Sequence, residues 1–460
     1  MFPNSPVDSG ALNSLIFYLS VLGLILFVGT LLRLKVGIFK KYFIPASLIA
    51  GFIGLLLGPY SLNVLPAEMV ATWGSLAGVL ITIVFAPMLI GMTLGNSKEA
   101  SKFAVPQVMY SYLGATLQIG IPLIIAGLIL IPLFGVNQLF GTVIEIGWAG
   151  GHGTAGGMSE VFTTLGWGDG SSIALTSATL GLLIGIFGGM IIINIGVKKG
   201  YTSVIKDQSQ LKTAKQADTS EKVASSYSSV NSNVVESFGF HAAIISIAIL
   251  LGWVLQGLLS PIIPGLPLFP MAMIGGLIVN IILSKTKYFE LIDRHTLQRI
   301  QGLALEFLIV GAVASISIPV VIEYAVPLLI LTATSILVLV WYFFYVGPRM
   351  FEKDWFEHSI VNLGTLTGVI AVGLMLLRTV DPDMKTDAAA AYALRAPFFS
   401  PFLGGGLITA LIPTLIVAYS SLIVGIGFLA ISALILVLAY VFGIFRLNRR
   451  SVRQSVNKSA

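Results

Sequence analysis

Apolar runs long enough to cross a bilayer, roughly 20 residues, recur along the chain. They lie near 13–32, 43–58, 71–94, 105–133, 172–196, 238–259, 268–284, 302–322, 325–346, 396–418 and 421–445. The second is short and is interrupted by Pro45 and Gly51. Two further apolar stretches, 139–165 and 358–380, sit between well-formed runs but contain glycines and small residues that break helices. Residues 199–237 stand apart: Ser, Lys, Gln, Thr and Asn with few large apolar groups predict a flexible linker. The first twelve residues are polar and carry no basic n-region, so the first run reads as a span rather than a cleaved signal.

Composition fixes the class. Of 460 residues, 56% are hydrophobic and 10% charged, against about 25% charged in an ordinary soluble domain. The mean hydropathy is +0.95. These values exclude a soluble enzyme, a disordered chain and a nucleic-acid-binding protein, and predict a multi-pass membrane protein. The net charge of +6 is then loop charge on one membrane face. With no cysteine there is no disulfide, thiolate metal site or cysteine nucleophile, and the four histidines do not cluster. The chain contains no P-loop, dinucleotide fingerprint, zinc motif or G-x-S-x-G elbow. An ion gradient, not ATP, is the expected energy source, and neither an enzyme nor a cofactor is expected.

The basic residues decide the topology. If 139–165 and 358–380 are re-entrant hairpins and the N-terminus is outside, all 26 Lys and Arg fall on the cytoplasmic face; if both are full spans, the count splits 14 to 12. The positive-inside rule favours the hairpins. The expected fold is therefore all-α. It comprises an N-terminal repeat (1–198), a cytoplasmic linker (199–237), an inverted C-terminal repeat (238–420), and an extra helix with a basic tail (421–460). Each repeat has about five spans and one re-entrant hairpin, and the C-terminus is cytoplasmic. Inverted repeats with broken helices at mid-membrane are the signature of a secondary transporter.

The hairpins carry the candidate chemistry. The first runs from Glu145 through Gly150-Gly151-His152-Gly153-Thr154 to Ser159 and Glu160, with six glycines between 147 and 157. Non-helical backbone cannot face lipid but can line a polar cavity, and glycine lets it approach a ligand. The Thr-Ala-Gly-Gly segment is expected to restart a helix whose N–H groups favour a carboxylate. The second hairpin reads Asn362-Leu-Gly364-Thr365-Leu-Thr367-Gly368 and ends at Arg378 and the Asp381-Pro382-Asp383 turn. Two such tips entering from opposite faces form one midplane site. The substrate candidates are Gly150, Gly151, His152, Gly153, Thr154, Ser159, Thr365, Thr367, Gly368 and Arg378; the cation-coupling candidates are Glu145, Glu306 and Asn362.

The run Lys40-Lys41-Tyr42-x-Ile44-Pro45-Ala46-x-x-x-Ala50-Gly51, the Gly150-Gly151-His152-Gly153-Thr154 stretch and Ala178-Thr179-x-Gly181-Leu182 resemble the bacterial sodium/glutamate symporter family over roughly 20–420. The resemblance implies Na+-coupled glutamate uptake through the inner membrane. It also implies two inverted five-span repeats, a homodimer, and elevator-type movement of a transport domain against a scaffold. The chain departs from the family's pattern in several places. The second loop has no proline, Val372 replaces a polar Asn, Glu145 and Glu306 are additional carboxylates, and the eleventh span is extra.

Charges within spans are costly and tend to be functional. Glu306 reads as a cation or proton carrier, or as a buried partner of Arg395. Glu145 reads as a Na+ ligand or a rim residue, and Glu160 as a structural partner. Arg378 and Arg395 read either as substrate-carboxylate partners or as snorkelling interfacial residues. His152 reads as a loop-shaping donor or a proton group. His241, His295 and His358, and Trp148, Trp167, Trp253, Trp341 and Trp355, read as interfacial. H+ coupling, an altered substrate, and an ion channel built on Gly-rich filters remain alternatives.

Overall fold

The computed structural model describes residues 7–41, 44–92, 98–205, 236–262 and 266–447. Among the described residues the chain is helical, with no strand. We number the helices in chain order. The first four are α1 (Ser9–Lys35), α2 (Gly37–Lys41), α3 (Ala46–Leu57) and α4 (Ala67–Phe85). Next, α5 starts at Lys98 and runs to Phe134. Three short helices follow: α6 (Val143–Gly147), α7 (Gly151–Gly157) and α8 (Ser159–Thr164), and then α9 (Gly170–Lys198). The remainder are α10 (Ser237–Leu259), α11 (Leu268–Leu283), α12 (Arg294–Ala314), α13 (Ile318–Glu323), α14 (Ala325–Met350), α15 (Trp355–Val380), α16 (Ala388–Phe399), α17 (Leu407–Tyr419) and α18 (Ser421–Val441). Nine of the described helices are long and apolar enough to cross a membrane. Leu24, Phe27 and Leu31 on α1, and Ile426, Leu434 and Val437 on α18, are exposed, as a lipid-facing surface requires.

Several predicted boundaries shift, each for a local reason. The run 302–322 begins earlier, at Arg294, because Asp293 caps α12 by accepting from the Thr296 N–H at 2.9 Å and from its hydroxyl at 2.6 Å. It ends at Ala314, and Pro319 starts the separate α13. The run 396–418 is two helices, α16 and α17, parted by Pro401 and by Gly404 and Gly405 at φ +69 and +100. Only 12 residues of 43–58 are helical. Most of the linker, the basic tail beyond Leu447 and Tyr42 lie outside the described residues.

The chain divides into two compact units. Unit 1 comprises Met1–Leu94, His152–Thr176 and Lys222–Tyr324; unit 2 comprises Gly95–Gly151, Ser177–Glu221 and Ala325–Ala460. Unit 1 has two buried apolar clusters. One joins α1, α3, α4 and α12 through Leu22, Ala50, Trp73 and Val310. The other joins the end of α4 to α10, α11 and α12 through Ala86, Ile245, Ala272 and Leu297. Glycine permits both packings: a Cβ on Gly29 would sit 2.8 Å from the Ala50 N, and one on Gly252 2.5 Å from the Ala272 Cα. His241 is buried, not interfacial: its Nδ1 bonds the Ser237 carbonyl and its Nε2 accepts from the Asp293 N–H.

Unit 2 gathers α5, α6, most of α9, and α14–α18. Its long helices carry π-turns at Ala126–Leu130, Ile184–Gly188 and Tyr342–Val346, a form that clusters at functional sites.

Gly252→Val places a branched side chain against the α11 backbone and is expected to cost about 1–3 kcal/mol, seen as a lower melting temperature in detergent. Gly302→Ala on α12, with open space around its Cα, is expected to leave melting unchanged or raise it, since alanine favours helix by about 1 kcal/mol.

Candidate functional site

The site in unit 2 is built on two interrupted helices. Helical geometry in α15 fails at Gly368 (φ −150, ψ 40) and Val369 (φ 59, ψ −179), and the chain turns back on itself. A Cβ on Gly364 would fall 2.7 Å from the Gly373 Cα, and one on Gly373 would fall 2.5 Å from the Val361 carbonyl oxygen. In a straight helix residues 361 and 373 would stand about 18 Å apart. A β-branched residue at positive φ stores about 1–3 kcal/mol of strain and persists only where its surroundings impose it. What imposes it here is the other break. After α6 the chain leaves the helix at Trp148–Gly150, and Gly151 adopts φ +73. A Cβ on Gly151 would lie 2.5 Å from the Val369 Cγ1. The two breaks therefore touch.

Neighbouring helices hold them. On α9, Gly181, Gly185 and Gly189 form one small-residue face, and Cβ atoms there would collide with the Thr367 carbonyl, the Thr367 hydroxyl and Leu376 at 2.5–2.6 Å. On α5, three polar residues bond the first arm of α15, at positions four residues apart on that arm. His358 Nδ1 lies 2.8 Å from the Gln107 Oε1, the Ser111 hydroxyl donates to the Asn362 Oδ1 at 2.6 Å, and the Gln118 Nε2 donates to the Leu366 carbonyl at 2.7 Å. The offsets of 251, 251 and 248 residues stay nearly constant along the two helices, so α5 and this arm run parallel. A cavity of about 50 Å³ lies between Trp148, Gly185, Leu363 and Thr367. Ile184, Ile192, Ile336, Leu339 and Val340 also line it, so it is a small apolar void, far below the roughly 300 Å³ of an organic-ligand pocket.

Four charged groups are buried in the unit: Glu145, Glu357, Asp381 and Arg395. Asp381 is fully engaged by the Lys385 and Thr386 N–H groups and the Thr386 hydroxyl, and Glu357 accepts from the Ser203 N–H while its Oε2 has no partner. Glu145, on α6, is 2% exposed, which removes the rim reading. Its Oε1 accepts from the Gly404 N–H at 3.0 Å and the Thr409 hydroxyl at 2.7 Å, while Oε2 has no partner. Arg395, on α16, is also buried, which removes the snorkelling reading. Trp148, expected at an interface, is buried at the first break.

The other predicted residues divide clearly. Gly150 and Gly151 stand at the first break, and Thr365, Thr367 and Gly368 at the second. The Thr365 hydroxyl bonds the Val361 carbonyl and Tyr392, and that of Thr367 donates to the Leu363 carbonyl. Asn362 has both amide atoms engaged, by Ser111 and by the His358 carbonyl, so it braces the arm. His152, Gly153, Thr154 and Ser159 belong to unit 1, where Gly153, Gly156 and Gly157 seat α7 against Leu305, Ala312 and Ile81. The helix restart expected there is real but only seven residues long, with little end dipole. Two further candidates lie at exposed positions: Arg378 on the last turn of α15, ten residues past the break, and Glu306 on α12 in unit 1, so Glu306 is not a buried partner of Arg395. The sequence brought out Gly181 only within the family resemblance and did not single out Gly185 and Gly189, although their G-x-x-x-G-x-x-x-G spacing signals helix packing. It also passed over Tyr392, Gly404 and Thr409, for which no local signal exists.

Interrupted helices around buried polar groups, in a multi-pass membrane protein, define the class of secondary transporters. The chain belongs to the sodium/glutamate symporter family, whose model matches residues 11–373. No curated protein matches the chain. Among solved structures, the chain is similar to the sodium proton antiporter MjNhaP1 of Methanocaldococcus jannaschii. The two are 16% identical over 88% of this chain and 97% of that one, with a TM-score of 0.39, too low to carry an argument.

The contact between the breaks is testable. Gly151→Ala and Val369→Ala are each expected to alter stability, and the double variant to depart from additivity by at least about 0.5 kcal/mol, as measured by chemical unfolding in micelles. Strict additivity would exclude the contact.

Proposed function

We propose that the protein is a Na+-driven symporter of glutamate or a closely related small carboxylate, working by alternating access across the inner membrane. The observation that carries this reading is the meeting of two helix breaks, Gly151 against Val369, within a member of a sodium/glutamate symporter family. The stretches 139–165 and 358–380 are re-entrant in this reading. Each arm of α15 extends about 20 Å or less, short of the roughly 30 Å hydrocarbon core.

The repeats are inverted, and the pairing in unit 1 supports this: α1 packs on α3 as α10 packs on α11, while α4 and α12 pack on each other. Residues 1–198 and 238–420 are the repeats, joined by a cytoplasmic linker, with the N-terminus outside and the C-terminus cytoplasmic. The unit that holds the breaks carries the solute in an elevator-type movement, and two copies form a homodimer. The breaks part to admit substrate, since the cavity between them is too small for an amino acid. Glu145, with one free carboxylate oxygen, is the cation ligand. The same free oxygen favours a second reading, in which Glu145 carries a proton.

In proteoliposomes, an inward Na+ gradient is expected to drive labelled glutamate uptake, and Glu145→Gln to reduce it by about 10- to 100-fold, the usual cost of weakening an ion site. Equal uptake without Na+ would overturn sodium coupling. Uptake that follows a pH gradient instead, and is lost in Glu145→Gln, would establish the proton reading.

A further inference from the structure

The fold leaves one interior cation without a counter-charge. Arg395 is 1% exposed, and its Nε and Nη1 have no hydrogen-bond partner. Its guanidinium carbon lies 4.3 Å from the centre of the Tyr392 ring and 4.2 Å from that of Phe399. Two aromatic faces attract a cation by about 0.5–2 kcal/mol each, whereas an unpaired buried charge costs several kcal/mol. Among the described residues, the ion pairs are Lys385 with Asp383 and Arg446 with Glu352, all well exposed, and none involves Arg395. Among the described residues, this interior guanidinium thus keeps unpaired donors and has no carboxylate within ion-pair distance.

Its position relates that fork to the second break. Tyr392, one turn earlier on α16, shares a 2.6 Å hydrogen bond with the Thr365 hydroxyl, three residues before Gly368. The Tyr112 hydroxyl, on α5, donates to the Phe398 carbonyl at 2.7 Å and fixes the other end of α16. Thus α16 is clamped to the helix that breaks and to the helix that braces it. It also lies beyond residue 373, where the family match ends, so membership of the family assigns it no role.

We propose that Arg395 binds a carboxylate of the transported anion, its planar fork making two parallel N–H···O bonds. Neutral analogues are rejected because they leave the guanidinium unpaired. The proposal rests on the reading of the protein as a carrier of small carboxylates. It goes further in naming the charge that selects them.

The test is equilibrium binding to the purified full-length protein, with glutamate, aspartate, succinate and glutamine as probes. Each variant is checked for folding by size exclusion and thermal melting. Arg395→Gln is expected to weaken binding of the preferred anion by roughly 30-fold or more, the cost of truncating a buried charged pair. Discrimination between glutamate and glutamine should fall by a similar factor. Arg395→Lys, which keeps the charge and loses the fork, is expected to fall between the two. A folded Arg395→Gln that binds the preferred anion within about threefold of the native protein would overturn the proposal. If Arg395→Gln does not fold, Arg395→Lys decides: a loss of about fivefold or more supports it, and native affinity overturns it. If the native protein binds succinate or aspartate but not glutamate, the glutamate reading fails while the arginine is judged on the anion that binds. If it binds only glutamine, both fail.

Discussion

A backbone N–H or C=O left unpaired in hydrocarbon costs several kcal/mol. A membrane protein can therefore interrupt a helix only where other protein groups surround the break. Here the two interruptions are packed against each other and against α9 and α5. Gly151 makes room for Val369, Gly181 and Gly185 make room for Thr367, and Gln118 bonds the buried Leu366 carbonyl. The rest of unit 2 follows from that requirement. The small-residue face of α9, the parallel polar ladder on α5, and the glycine pair that lets the α15 arms touch all exist to enclose backbone that is no longer helical. The strain at Val369 is tolerated because this enclosure leaves no alternative path.

The same enclosure sets the electrostatics. Once water is excluded, each interior charge must be met by directed donors or by a ligand. Glu145 is half met, by the Gly404 N–H and the Thr409 hydroxyl. Arg395 is met only by aromatic faces. In this unit the Glu145 Oε2, the Glu357 Oε2 and the Arg395 Nε and Nη1 are left without hydrogen-bond partners.

The elements were legible where hydrophobic runs are long and uninterrupted: α1, α5, α9, α10 and α18 fall close to the positions their apolar runs predict. The first break was legible as a glycine-rich run, which holds helix only at a cost, although the structure confines the interruption to Trp148–Gly150 and keeps Gly151–Gly157 helical. Less visible were features that depend on what lies across the interface. The start of α12 at Arg294 was obscured because polar residues at a span end can be helical as readily as not, and only the Asp293 cap decides. The division of 396–418 into two helices turns on Gly404 and Gly405 at positive φ, which leave no mark in mean hydropathy.

By itself, the sequence determined that the chain is a multi-pass membrane protein and pointed to two stretches where helix is interrupted. These properties are local or additive, and so they survive without knowledge of neighbours. Only the tertiary structure decided which interior charges matter. Arg378 and Arg395 are both arginines within apolar sequence, as Glu145 and Glu306 are both glutamates. Yet Arg378 and Glu306 face outward, while Arg395 and Glu145 are sealed among helices distant in sequence. A charge acquires its chemistry from the groups that surround it, and in this protein those groups, Thr409 and Gly404 for Glu145 and Tyr392 and Phe399 for Arg395, are brought into place by packing.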